Sequence, residues 1–160
     1  MILGANHIAI SVPNLDKALA FYRDLLGLKQ VGAFNWDQDS PEAKGAEMIL
    51  GVKGTAADAV HLAAENLLIE LFEFKAGDPA PQNRNRPVID HGFTHLCFAV
   101  KDLDGEYARL KAAGMTFHSP PTPVAEGIRT VYGRDPFGNV VEFEEVAGRE
   151  LPHQPPYPTT

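Results

Sequence analysis

The chain repeats itself, and a repeat with this content constrains the fold more than any other feature of the sequence. The segment His7-Ile-Ala-Ile-Ser-Val-Pro-Asn-Leu-Asp16 lies over His95-Leu-Cys-Phe-Ala-Val-Lys-Asp-Leu-Asp104 at an offset of 88 residues. Each copy passes from β-type residues through a polar turn into an apolar stripe of helical period. In the first the stripe is Leu15, Ala18, Leu19, Tyr22, Leu25 and Leu26; in the second it is Leu103, Tyr107 and Leu110. Asn14 and Asp102 suit N-caps, and Gly27 and Gly114 suit helix ends. A second match closes each copy: Leu68-Ile-Glu70-Leu-Phe-Glu73 lies over Val140-Val-Glu142-Phe-Glu-Glu145, now at an offset of 72.

The change of offset means that the first copy holds 16 more residues than the second. Their simplest place is 33–58, which has little periodicity and reads as an inserted loop of the kind that forms lids. The first module is expected over 1–75 and the second over 93–146, joined by a Pro-containing linker at 76–92 and followed by a Pro-rich tail at 147–160. Strands are expected near 5–12, 46–50, 59–64 and 67–74, then near 93–100, 115–118, 129–133 and 139–146. The Gly138-Asn139 turn after Asp135-Pro136 joins the last two as a hairpin.

Composition removes several classes. With 44% hydrophobic and 22% charged residues in 160, the chain is globular rather than disordered. A net charge of −7 with no basic cluster lacks the footprint of nucleic-acid binding. Apolar runs such as 66–74 are broken by carboxylates and fall short of the ~20 residues of a membrane span. No basic-then-apolar leader is visible at the N-terminus, so a cytoplasmic location is expected. The single cysteine, Cys97, excludes a disulfide framework and any multi-cysteine zinc site.

Among the repeated positions are two imidazoles and two carboxylates: His7, Glu70, His95 and Glu142. Strand alternation puts Ile8, Ile10 and Val12 on one face and His7, Ala9 and Ser11 on the other. It likewise separates Leu96, Phe98 and Val100 from His95, Cys97 and Ala99. One such histidine or glutamate is ordinarily just an exposed polar group. Four at matching repeat positions are a good ligand set for Zn, Ni, Co, Mn or Fe(II), and a poor one for Ca.

These residues, with Phe21-Tyr-Arg-Asp-Leu-Leu-Gly-Leu28 and Asp135-Pro-Phe-Gly-Asn-Val-Val-Glu142-Phe, make the chain resemble the vicinal oxygen chelate superfamily over about residues 5–146. That superfamily holds glyoxalase I, methylmalonyl-CoA epimerase, extradiol dioxygenases, and fosfomycin and bleomycin resistance proteins. The resemblance implies an α+β fold of paired βαβββ modules forming an open half-barrel around a metal site. It implies His7, Glu70, His95 and Glu142 as metal ligands, a small-molecule substrate and a homodimer. The chemistry implied is that of a lyase or isomerase. A substrate chelates through two oxygens and the metal stabilises an enediolate. Glu142 moves the proton, with Glu70 and His61 as further catalytic candidates.

Substrate-binding candidates are Phe72, Phe74, Ser11, Cys97, Arg129 and Tyr132. Ser11 and Phe74 stand where bacterial glyoxalase I carries an Arg and an Asn that help hold glutathione. With Phe72 and Phe74 on the same strand face, a more apolar or aromatic substrate is expected. The alternatives are an extradiol-type dioxygenase, a CoA-ester epimerase, a fosfomycin-type thiol transferase, or a non-catalytic binding or resistance protein. Trp36, His91, Arg84 and Arg86 are placed in loops.

Overall fold

A computed structural model describes residues 1–2 and 4–150. The chain divides into two compact units, Met1–Pro81 and a second beginning at Gln82. The expected tail lies outside the described residues from 151 onward.

The first unit runs β1 (His7–Ser11), α1 (Leu15–Leu19), β2 (Lys29–Trp36), α2 (Pro41–Leu50), β3 (Ala56–Ala64) and β4 (Leu67–Ala76). The helix α1 winds on over Ala20–Leu25 with π geometry, closed by Leu26 N donating to Phe21 O at 2.9 Å, and Gly27 follows at φ +80°. The sheet order is β1-β4-β3-β2, with β1 parallel to β4 and the other pairs antiparallel. One face is apolar: Ile8, Ile69 and Leu62 form one cross-strand row, and Ile10, Leu71 and Val60 the next. Leu62, Ile69 and Leu71 are fully buried, as are Ala18 and Tyr22 of the helix. Each such aliphatic side chain contributes about 1.5–3 kcal/mol.

The second unit runs β5 (Leu96–Ala99), α3 (Leu103–Ala112), β6 (Thr116–Phe117), β7 (Thr122–Ala125), β8 (Ile128–Arg134) and β9 (Val140–Val146). Its sheet order is β5-β9-β8-β6, with β7 also pairing β8. Leu96, Val141, Phe143 and Val131 are buried on one face, with Leu103 and Leu110 of α3 fully buried. The β8–β9 hairpin forms where the sequence places it. Asp135 Oδ1 accepts from the amides of Phe137 and Asn139, each at 2.8 Å, and Gly138 takes φ +98°.

The repeat extends to the tie between strand and helix. Asn14 and Asp102 accept from the amides of Lys17 and Gly105 as N-caps. Glu73 Oε2 accepts from Leu15 N at 2.7 Å, and Glu145 Oε1 from Leu103 N at 3.4 Å. Both carboxylates thus sit at helix N-termini, where the orphan amides favour negative charge. In Glu73, burial acts upward on the pKa, but hydrogen bonds from Lys75 and the Leu15 amide outweigh it and the pKa is lowered.

The stretch 33–58 is not a loop. It contains the end of β2, all of α2 and the start of β3, and the strand expected at 46–50 is the C-terminal half of α2. Ser40 caps this helix by accepting from Ala43 N, and Pro41 occupies its first turn. The cause of the misreading is the reversed pattern of the helix. Met48 and Ile49 are exposed, whereas Ala43 packs with Trp36 and Ala57 and against Ala46, Phe72 and Phe74. Trp36 is accordingly the last residue of β2 and 7% exposed, with Nε1 donating to Thr55 Oγ1, and is not a loop residue. β7 (Thr122–Ala125) is a further strand beyond those the sequence pattern marks.

Candidate functional site

The open face of the first sheet is built in cross-strand rows. His7, Leu68, Ala63 and Lys29 form one row, and Ala9, Glu70, His61 and Gly32 the next. Ser11, Phe72, Ala59 and Phe34 form the third, and Phe74, Ala57 and Trp36 the last. Glu70 is only 9% exposed, and both its oxygens face imidazoles. His61 Nε2 lies 2.8 Å from Oε1, and His7 Nε2 lies 3.7 Å from Oε2. Across from His61, Gly32 leaves the ring its room, because a Cβ there would stand 3.2 Å from His61 Nδ1.

The second sheet repeats the arrangement with different neighbours. Cys97, Glu142 and Tyr132 form one row, and Ala99, Glu144 and Thr130 the next. His95, immediately before β5, places Nε2 3.0 Å from Glu142 Oε2. Glu142 is 8% exposed, and its other oxygen accepts from Thr130 Oγ1 at 2.5 Å. The Tyr132 ring lies 4.8 Å from that of His95. Desolvation first, then the Glu142 charge, pushes the Tyr132 hydroxyl above its ordinary pKa. Cys97 is exposed as a residue, yet desolvation followed by the charge and hydrogen bond of Glu142 raises its thiol pKa strongly.

Each histidine is held from behind by the residue before it. His7 Nδ1 lies 2.9 Å from Asn6 Oδ1, and His95 Nδ1 lies 3.0 Å from Thr94 Oγ1. Positions 6 and 94 are themselves 88 residues apart, so the brackets repeat with the rings they hold. Fixing Nδ1 leaves Nε2 to face outward, the usual way a metal-binding imidazole is oriented.

Among the described residues no three or more His, Cys, Asp or Glu side chains already surround one point. The donors nonetheless fit a borderline divalent ion: each unit offers an oriented Nε2 beside a nearly buried carboxylate on one open face. A buried carboxylate needs a compensating charge or hydrogen bonds.

Of the substrate-binding candidates, Ser11, Phe72, Cys97 and Tyr132 share these faces, and Phe74 does so beneath α2, packed against Trp36 and Ala43. Arg129 does not. It lies on the other face of β8, opposite Glu145, and makes a bidentate pair with Asp104 of α3 at 2.8 and 2.9 Å. Strand alternation separates Arg129 from Tyr132, and that period would have excluded it. Sequence reasoning passed over Asn6, Thr94, Thr130 and Phe34. The first two were visible in the repeat offset. Thr130 and Phe34 lie on strands whose register only the structure supplies. Arg84 and Arg86 brace the linker, Arg84 donating to Pro136 O at 2.7 Å and Arg86 to Phe93 O at 2.9 Å.

The family model of the Glyoxalase/Bleomycin resistance protein/Dioxygenase superfamily matches residues 4–143, and the chain belongs to that superfamily. It is 32% identical over 150 residues to an ethylmalonyl-CoA/methylmalonyl-CoA epimerase of Cereibacter sphaeroides, covering 91% of this chain and 100% of that protein. It is 30% identical to a 2-epi-5-epi-valiolone epimerase of an Actinomyces species, over 88% of this chain and 78% of that one. A crystal structure of a glyoxalase family protein from Bacillus cereus shares the fold, with a TM-score of 0.82 at 23% identity, covering 92% of this chain and 97% of that one.

Proposed function

We propose that this chain is a metal-dependent isomerase or lyase in which His7, Glu70, His95 and Glu142 hold one divalent ion, with Zn, Ni, Co, Mn and Fe(II) as candidates. Its substrate is a small, partly apolar molecule that chelates through two oxygens. The observation that carries this reading is the twinned pair of an Nδ1-bracketed imidazole and a nearly buried glutamate, His7 with Glu70 and His95 with Glu142.

When bound, the ion supplies Lewis-acid polarisation of a substrate carbonyl. The remaining work belongs to the side chains. Glu142 takes a proton from the carbon beside that carbonyl and returns it, while the Thr130 hydroxyl steadies one of its oxygens. Glu70, whose Oε1 lies 2.8 Å from His61 Nε2, is the second candidate for moving a proton. Return of the proton to the other face is an epimerisation, the activity for which two relatives are named, and the first of them, named for CoA esters, supports CoA-ester epimerisation as the second reading.

The test is solvent proton exchange. Metal-loaded protein in D₂O is incubated with methylmalonyl-CoA, ethylmalonyl-CoA and a panel of α-hydroxy carbonyls, and products are read by NMR. Deuterium at the carbon next to the carbonyl is expected. Oxygen uptake on a catechol, with no deuterium in any carbonyl compound, would replace this reading by ring cleavage.

A further inference from the structure

We infer that Phe34 and Phe72 form a docking wall for a flat aromatic group attached directly to the chelating part of the substrate; this inference rests on the reading above. Phe34 is 40% exposed although three rings surround it: His61 at 5.4 Å, Phe72 at 5.8 Å and Trp36 at 6.3 Å between centroids. A phenylalanine with this many ring neighbours that still shows so much surface offers a face rather than filling a core. Its row carries Ala59, only 1% exposed, so nothing bulky rises between Phe34 and Phe72.

Position along the strands sets the size of the group. The Phe34–Phe72 row is the next one on this face after the Glu70–His61 row, and a two-residue step along a strand is about 6.6 Å. A ring bonded directly to a two-oxygen chelating unit spans that step; a long linker overshoots it. Beyond the wall, Trp36 and Phe74 are packed with Ala43 and Ala46 of α2, so the helix closes the far end of the apolar strip. The 16-residue excess of the first copy thus falls in the segment that carries this closure.

The chain's single tryptophan makes the wall readable. Benzohydroxamate and acetohydroxamate chelate through the same two oxygens and differ in the ring. They are titrated into Co(II)-loaded protein, following both the cobalt absorption band and Trp36 emission. Benzohydroxamate is expected to bind about tenfold more tightly, about 1.4 kcal/mol, and to change Trp36 emission, whereas acetohydroxamate shifts only the cobalt band. Phe34→Ala and the milder Phe34→Leu, with melting curves to confirm folding, are expected to remove the preference and leave acetohydroxamate affinity unchanged.

Equal binding of the two hydroxamates would overturn the wall and leave the chelation reading standing. Binding of neither would instead remove the chelation reading itself. A preference that survives in both Phe34 variants and in Phe72→Ala would place the ring elsewhere and overturn the inference. So would a Trp36 emission that changes on dilution without ligand, since a second copy of the chain would then be covering Phe34.

Discussion

The two units present the same pair of donors in different company. In the first, the residue across from the glutamate is His61, and two positions beyond Glu70 stands Phe72. In the second, the corresponding places are taken by Tyr132 and Glu144, with Thr130 holding the carboxylate and Arg149 3.3 Å from Glu144. What repeats is the imidazole, its Nδ1 bracket, the glutamate and the carboxylate that ties strand to helix. What differs is the surroundings: aromatic in the first unit, hydroxyl- and carboxylate-bearing in the second. Under the proposed reading, two like donor pairs with unlike neighbours suit a substrate whose ends are unlike.

The largest effect that would break this comparison is expected at the glutamates. Glu142→Gln should lower solvent-deuterium exchange by about 10²–10⁴-fold, the usual worth of a positioned base. Glu70→Gln should cost less, and equal losses would show that the two units divide the proton work evenly. Next come the brackets. Asn6→Ala and Thr94→Ala should each weaken metal affinity by about 10–100-fold in a competitive chelator titration. A loss confined to one of them would mean that the half-sites are not equivalent.

Smaller effects belong to the helix ties. Glu73→Ala should lower stability by about 1 kcal/mol in denaturant unfolding, and Glu145→Ala by less, because its 3.4 Å contact is long. The folded pKa of Glu73 is depressed, so its contribution is present above the unfolded value of about 4.3 and is lost as acid carries the pH through the folded value. Unfolding curves of wild type and Glu73→Ala should therefore converge on acidification. The smallest effect is at Arg129. Arg129→Gln should leave hydroxamate binding unchanged and barely move the melting temperature, since its ion pair with Asp104 is solvent-exposed and on the helix side of β8.

The parts of this molecule that could be read from its sequence are those governed by strict period. Alternation in β1 and β5 assigned His7, His95 and Cys97 to the face away from the helices, because Ile8, Ile10, Leu96 and Phe98 left no other choice. Both helix starts were legible from Asn14 and Asp102. β2 was not legible, because its ladder shifts between Gln30 and Gly32, so Val31 interrupts the alternation. α2 was misread since alanines supply its buried side while Met48 and Ile49 face outward. Ser40-Pro41 was the overlooked signal, a cap followed by the proline that helix starts favour. Within the site, the His61–Glu70 contact depends on register, which pairs residues nine apart across a hairpin and is invisible to local pattern.

The most direct measurement is metal stoichiometry across variants of the two units. Purified wild-type protein, equilibrated with Co(II) and desalted, should retain about one ion per chain, and His7→Ala and His95→Ala should each lose most of it. Two ions per chain, with each variant keeping one of them, would contradict the account, as would variants that bind as much cobalt as the wild type.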